Sequence, residues 1–138
     1  MIIDLARVII DFGLVILIWM VQLTVYPSFK HYSRDGLLQW HSRYTKNIAI
    51  IVMPLMFGQL IIYFYQVFVS QNLFSILGLT IVILLWVSTF VQFVPLHQQI
   101  NGNQHTYKTL VQLIMRNWIR TILWSALFLW SLIEALQL

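Results

Sequence analysis

The sequence has no cysteine and very little charge. Without cysteine it forms no disulfide, thiolate metal site, iron–sulfur cluster or cysteine nucleophile. Four acidic and eight basic residues make up 9% of the 138 positions, whereas a soluble domain usually carries ~25% charged residues. The composition therefore excludes a soluble globular domain. The net charge of +4 is spread over a largely apolar chain, so it does not indicate nucleic-acid binding.

What the sequence does contain is four long apolar stretches. A helix needs ~20 apolar residues to cross the ~30 Å hydrocarbon core of a bilayer. The stretches run over about 8–29, 47–69, 73–96 and 113–136, and residues 1–10 are not expected to form a cleavable leader. We predict an all-α polytopic membrane protein, with residues 1–138 forming a single four-transmembrane-helix bundle. Residues 70–72 predict a tight hairpin, and residues 30–46 and 97–112 predict longer polar loops.

The charges predict the orientation of the bundle. All basic residues except Arg7 lie in the two longer loops or at the start of the fourth span. Cytoplasmic loops are enriched in Lys and Arg, so both loops are expected to be cytoplasmic and both termini outside. Three of the four acids, Asp4, Asp11 and Glu134, lie toward the other end. The expected setting is a bacterial inner membrane, with the lipid bilayer as the partner of the outer helix faces.

The first and third spans share a weak pattern of residue types. The shared order is Trp, Gln and Pro, at Trp19, Gln22 and Pro27 and again at Trp86, Gln92 and Pro95. This pattern predicts two parallel helix-hairpin repeats related by an axis along the membrane normal. Independent use of the same interfacial residues gives the same pattern, so both interpretations stay open.

Histidines are the first candidates for chemistry, because their unperturbed pKa lies near neutrality. All four are expected on the cytoplasmic side, and no spacing among His31, His41, His97 and His105 matches a metal motif. In a helical segment before the second span, Trp40, His41 and Tyr44 share one face with Leu37. That face is expected either to present His41 to the mouth of the bundle or to form an interfacial amphipathic turn.

Polar residues within the spans are the second group of candidates. Asn117, Arg120, Thr121 and Trp124 occupy offsets 0, 3, 4 and 7, which is one helical face. An arginine within a span is expensive, so it faces protein, a cavity or the headgroups. Arg120 is expected to bind a carboxylate, a phenolate or a lipid phosphate, to contact the ring of Trp124, or simply to lie at the cytoplasmic interface.

Three further expectations concern packing. Gln22 lies on one face with Trp19 and Tyr26, and Gln22 and Gln92 are both predicted to form interhelical hydrogen bonds. Pro54 is expected to kink the second span. Arg7 and Asp11 are four residues apart, which predicts an ion pair on one helix.

Several short motifs carry a family resemblance that covers nearly the whole chain. They are Val25-Tyr26-Pro27, Trp40-His41 with Arg43-Tyr44, Met53-Pro54-Leu55, Val94-Pro95-Leu96 and Asn117-Trp118-Ile119-Arg120-Thr121. In this order they resemble the anthrone oxygenase-like family of small four-helix membrane proteins. Most members of that family have no assigned activity. The characterised ones oxidise anthrones to anthraquinones with molecular oxygen and without metal or flavin.

The resemblance implies a cofactor-independent, oxygenase-like enzyme acting on a hydrophobic aromatic or quinonoid molecule at the cytoplasmic end. It makes His41 the candidate base, and it gives Arg120 and Asn117 the role of stabilising the enolate. The substrate-binding residues expected around them are Tyr26, His31, Trp40, Tyr44, His97, Trp118 and Trp124. His97 departs from the family pattern, because a different polar residue is expected after the proline, and this leaves the substrate open.

A non-catalytic module is the alternative function. Such a protein would bind haem, a quinone or a lipid, or assist a larger membrane complex. Histidines at the ends of different spans are able to supply two axial ligands to a haem. The cofactor prediction is nevertheless none, with haem or a histidine-ligated metal as the alternative.

Overall fold

A computed structural model describes all 138 residues as four long helices and no strand. The helices are α1 (Ile2–His31), α2 (Arg34–Val69), α3 (Leu73–Asn101) and α4 (Tyr107–Leu136). Each is long and apolar enough to cross a membrane, and large apolar side chains cover the outside of the bundle. The all-α four-helix fold predicted from the sequence is confirmed, and the chain fits an integral membrane protein.

The two longer polar loops are mostly helical, which corrects the sequence prediction. Helix α2 begins at Arg34, thirteen residues before the predicted span, because Ser33 caps its first turn by accepting a hydrogen bond from the Gly36 amide at 3.1 Å. Thr106 and Thr109 form a reciprocal capping box at the start of α4. The connections shrink to residues 32–33 and 102–106. We call this half of the molecule the basic end.

Arg34 ties the 102–106 connection to the start of α2. Its Nε donates to Asn103 Oδ1 at 2.8 Å, its Nη2 to the Asn103 carbonyl at 2.8 Å, and its Nη1 to the His105 carbonyl at 3.0 Å. Asn103 adopts a left-handed conformation, with φ of 55°, that asparagine tolerates better than most residues. The guanidinium therefore satisfies loop carbonyls that no helix partner reaches.

Two of the three prolines follow a short π-helical segment. In α1 the segment is Val21–Val25 and Pro27 follows; in α3 it is Thr89–Phe93 and Pro95 follows. A proline has no amide hydrogen and its ring crowds the carbonyl four residues earlier, and a π turn relieves both problems by widening the helix. The matching offsets agree with the predicted repeat, which stays a prediction. Around Pro54 the helix stays α-helical.

The ion pair predicted between Arg7 and Asp11 is wrong. Arg7 donates instead to Asp4 Oδ1 at 3.0 Å, and to the hydroxyl and carbonyl oxygens of Ser131 on α4 at 2.8 and 3.2 Å. Asp11 turns into the bundle, where polar groups of α2 solvate it. Facing helices offered both residues better partners than the neighbouring turn did, and sequence spacing carries no information about those helices.

Gln22 and Gln92, the two glutamines predicted to form interhelical hydrogen bonds, have different partners. Gln22 Nε2 donates to the Ile114 carbonyl of α4 at 3.1 Å, and Gln22 Oε1 accepts from Asn117 Nδ2 at 2.9 Å and from the Thr121 hydroxyl at 3.2 Å. The interhelical prediction is therefore confirmed for Gln22. Gln92 accepts only from Ser88, one turn earlier on its own helix, so the same prediction is wrong there.

Candidate functional site

A cavity of about 300 Å³ lies between the helices in the basic half of the bundle. Eleven of its seventeen lining residues are hydrophobic, and all four helices contribute to the wall. On the side between α2 and α3 the lining residues Thr45, Ala49 and Val94 are only partly buried, and Gln98 is exposed. The cavity is thus suited to an apolar molecule with one or two polar groups.

Two histidines from different helices meet at the edge of this cavity. His97 of α3 lines the cavity, and its Nδ1 lies 2.8 Å from Nε2 of the fully buried His41 of α2. On the other side of His97, Nε2 lies 3.0 Å from the hydroxyl of Tyr26, which also lines the cavity. His41 Nδ1 lies 2.7 Å from Oδ1 of the exposed Asn101. The four side chains form one chain from the cavity to the surface.

The direction of each hydrogen bond follows from the acceptor at the end of the chain. An amide oxygen only accepts, so His41 Nδ1 carries a proton and donates to Asn101. His41 Nε2 then accepts from His97 Nδ1, and His97 Nε2 accepts from the Tyr26 hydroxyl. In this arrangement both rings are neutral, with the proton on Nδ1, and a proton taken up at Tyr26 is able to pass to His97 and then to His41 along the chain.

A buried arginine forms the cationic part of the wall. Arg120 is 6% exposed, makes no salt bridge, and its Nε has no hydrogen-bond partner. Its guanidinium carbon lies 4.1 Å from the centre of the Phe93 ring and 5.1 Å from that of Trp124. Of the alternatives predicted for Arg120, the contact with Trp124 is the one present. Two ring faces offset part of the desolvation of the cation, and they leave its Nε without a hydrogen-bond partner.

The structure brings together six of the ten residues singled out in the sequence. Tyr26, Tyr44, His97, Arg120 and Trp124 line the cavity, and His41 lies directly behind His97. Asn117 is fully buried but is bound to Gln22 and does not line the cavity. The remaining three lie away from it on exposed positions: His31, Trp40 and Trp118.

Neither Asn101 nor Phe93 was found by sequence reasoning. Asn101 lies sixty residues after its partner His41, in a polar segment where an asparagine suggests only a helix end. Phe93 is one of nine phenylalanines in an apolar chain. Its position two residues before a proline was the available signal, because the π segment that ends there turns its ring toward Arg120.

No family model, curated protein or solved structure matches this chain. The resemblance to the anthrone oxygenase-like family therefore stays a prediction, and the function is argued from the site itself.

The histidine pair does not fit a bis-histidine haem. Axial ligands lie on opposite faces of the macrocycle, whereas His41 and His97 are in direct contact, with ring centres 4.9 Å apart. No group of three or more His, Asp or Glu side chains is arranged to hold a metal ion. Both histidines already use both ring nitrogens in hydrogen bonds within the protein.

His105 lies outside the spans, in the 102–106 connection, and is 6% exposed. Burial, and secondarily the charge of Arg34, lowers the pKa of His105 from its ordinary value of 6.5. The folded connection therefore favours the neutral form of His105.

Proposed function

We propose that this protein is a membrane enzyme that removes a proton from a weakly acidic, hydrophobic aromatic or quinonoid molecule and lets molecular oxygen oxidise the resulting carbanion. The substrate enters from the bilayer between α2 and α3 and reacts at the basic end, which we place in the cytoplasm. The observation that carries the proposal is Arg120, a buried cation without an anion in the wall of a largely apolar cavity.

Arg120 supports this chemistry because it favours the deprotonated substrate over the neutral one. A neutral aromatic ketone offers the guanidinium a weak acceptor, whereas its enolate supplies the missing negative charge. An interaction that strengthens as charge develops lowers the barrier to deprotonation, and a site shielded from water enlarges the effect. Trp124 and Phe93 hold the cation from behind without neutralising it.

The Tyr26–His97–His41–Asn101 chain supports the proposal as the proton acceptor. Tyr26 takes the substrate proton as it passes its own to His97 Nε2. His97 passes its Nδ1 proton to His41 Nε2, and His41 holds the added charge as an imidazolium that donates to Asn101 Oδ1. In this scheme His97 is the base nearest to the substrate and His41 is the relay behind it, which changes the role that the resemblance implied for His41.

The reaction balances without a metal or flavin. For anthrone, the carbanion transfers one electron to oxygen, and the radical and superoxide combine to a peroxide anion. That anion takes back the proton held by the histidine chain and then loses water to give the quinone. One anthrone and one oxygen molecule thus become one anthraquinone and one water.

Oxygen uptake by the purified protein tests the proposal. Protein in lipid nanodiscs is supplied with anthrone, and oxygen consumption and quinone absorbance are followed against empty nanodiscs. We expect His97→Gln to lower kcat/KM roughly 100-fold or more, as does loss of a general base. Arg120→Gln should lower it by a similar factor, as does loss of an oxyanion donor.

Arg116→Gln is the matched control. It makes the same charge change one turn earlier on α4, at a half-buried position that does not line the cavity, and should keep the wild-type rate. Wild-type turnover no faster than in empty nanodiscs, or full turnover in both His97→Gln and Arg120→Gln, would refute the proposal.

A non-catalytic binding site for a hydrophobic anion is the second candidate, because the free guanidinium favours an anion whether or not chemistry follows. Binding of a carboxylate or a quinone without oxygen uptake would favour this non-catalytic function.

A further inference from the structure

Three buried polar side chains connect the opposite half of the bundle to the wall of the cavity. Asp11, 1% exposed, accepts hydrogen bonds from Gln59 Nε2 at 2.6 Å and from the Tyr63 hydroxyl at 2.7 Å. Gln59 Oε1 accepts from the indole nitrogen of Trp124 at 3.2 Å. The guanidinium carbon of Arg120 lies 5.1 Å from the centre of the same ring. Asp11, Gln59 and Trp124 therefore form a continuous line that ends at the cation in the cavity wall.

The chemistry of the groups fixes the direction of this line. An indole nitrogen only donates hydrogen bonds, so the amide oxygen of Gln59 faces Trp124 and its amide nitrogen faces Asp11. The indole has a single donor, so that oxygen sets the rotation of the Trp124 ring. The ring face then sets where the guanidinium rests. Tyr63 contacts the same carboxylate but has no part in the line toward Trp124.

We infer that Asp11 and Gln59 are positioning residues for Arg120, and that they set the preference of the cavity for anionic over neutral aromatic ligands. The inference rests on the proposed function because it takes Arg120 as the anion-binding group. The inference gives a role to the Asp11 carboxylate, which lies two side chains away from the cavity, in the half of the bundle that the proposed reaction does not use.

The preference is measured with two probes of nearly the same shape. Binding of 9-anthracenecarboxylate and of the neutral 9-anthracenecarboxamide is followed by fluorescence in nanodiscs of zwitterionic lipid, with empty nanodiscs as the background. We expect wild type to bind the carboxylate roughly ten times more tightly, as a charge-assisted hydrogen bond provides. Gln59→Met keeps the side-chain volume but releases Trp124, and should reduce the ratio to about twofold or less.

Tyr63→Phe is the matched control, since it removes a buried hydrogen bond to the same carboxylate and leaves the line intact. It should keep the wild-type ratio. Trp124→Phe, which keeps a ring face but removes the indole donor, should behave like Gln59→Met and serves as the second variant if that protein does not fold.

The outcomes separate the inference from the proposed function. A wild-type protein without preference for the carboxylate overturns the anion-binding role of Arg120 and both proposals with it. A wild-type preference that persists in Gln59→Met and Trp124→Phe overturns the positioning role alone. Equal loss in Tyr63→Phe and Gln59→Met also overturns it, because general destabilisation would then explain the effect.

Discussion

At the scale of single residues, the site combines hydrogen-bonded side chains with a buried cation. His41 and His97 use both ring nitrogens, and Asp11 accepts from two donors. Arg120 Nε has no hydrogen-bond partner. Substitutions that change the charge at one end of the histidine chain should therefore alter its protonation without disturbing the fold.

Asn101→Asp should shift the pH dependence of anthrone oxidation. A carboxylate beside His41 Nδ1 stabilises the imidazolium, so the chain should hold a proton to higher pH. Because the position is exposed, we expect the midpoint of the acidic limb of the kcat/KM profile, on which the histidine base loses its proton, to rise by roughly one pH unit. Asn103→Asp, two residues later in the 102–106 connection and without contact to His41, is the control. A profile unchanged in Asn101→Asp would contradict the exchange of protons along the chain.

His105 predicts a loss of local stability in acid. Its lowered pKa means that the unfolded connection binds a proton more readily than the folded one. Stability contributed by neutral His105 should therefore be intact above its ordinary value of 6.5 and fall as the pH drops below that value.

Limited proteolysis of the 102–106 connection between pH 8 and pH 5 measures this effect. Cleavage should accelerate in acid in wild type, and His105→Gln should flatten the dependence. The exposed His31 provides the control, and an equally flat profile in His31→Gln would contradict the assignment to His105.

At the scale of helices, α1 and α4 are held together by polar groups as well as by apolar packing. Gln22 accepts from Asn117 and Thr121 and donates to a carbonyl of α4, so three hydrogen bonds converge on one side chain. The resemblance gave Asn117 a part in stabilising the enolate, whereas its observed contact is with Gln22. Its contribution should therefore appear in stability.

Asn117→Leu should lower the free energy of unfolding by about 1 kcal/mol, in the range measured for interhelical hydrogen bonds in membranes. Unfolding in mixed micelles of mild detergent and dodecyl sulfate measures this difference. Gln92→Leu removes a hydrogen bond within one helix and should change stability less. If Asn117→Leu were fully stable and yet inactive toward anthrone, Asn117 would belong to the reaction.

Sequence reasoning predicted the helices better than the site, for a physical reason. The contact of Arg120 with Trp124 joins residues four apart on one helix, and helical periodicity predicts it. The contacts of His97 with Tyr26 and His41 span 71 and 56 residues, and they depend on how three helices pack. The pairing predicted for Asp11 with Arg7 fails because Asp11 accepts hydrogen bonds from Gln59 and Tyr63 of α2, 48 and 52 residues away in the sequence.

At the scale of the whole molecule, charge is distributed along the bundle axis. At the hairpin end the single basic side chain, Arg7, is paired with Asp4, while the basic end carries the other seven Lys and Arg residues. This distribution predicts the orientation, with the basic end in the cytoplasm and the hairpin at Ser70–Asn72 outside.

The absence of cysteine makes that orientation simple to measure. Gln71→Cys in the hairpin should react with a membrane-impermeant maleimide in intact cells. Gln104→Cys at the basic end should react only after the membrane is permeabilised. Both positions are exposed, and no native thiol gives background. The reverse labelling pattern would invert the orientation and place the site on the outer side.

The π segments before Pro27 and Pro95 also determine the direction in which the side chains point at the ends of α1 and α3. A π turn contains one residue more than an α turn, so every side chain after it is rotated by ~100° relative to an uninterrupted helix. Tyr26 and His97 both lie after such a turn and meet because both ends are rotated in this way. The site therefore depends on the number of residues in Val21–Val25 and in Thr89–Phe93. Deleting one residue from either segment would separate Tyr26 from His97, although every residue of the proton chain would still be present in the sequence.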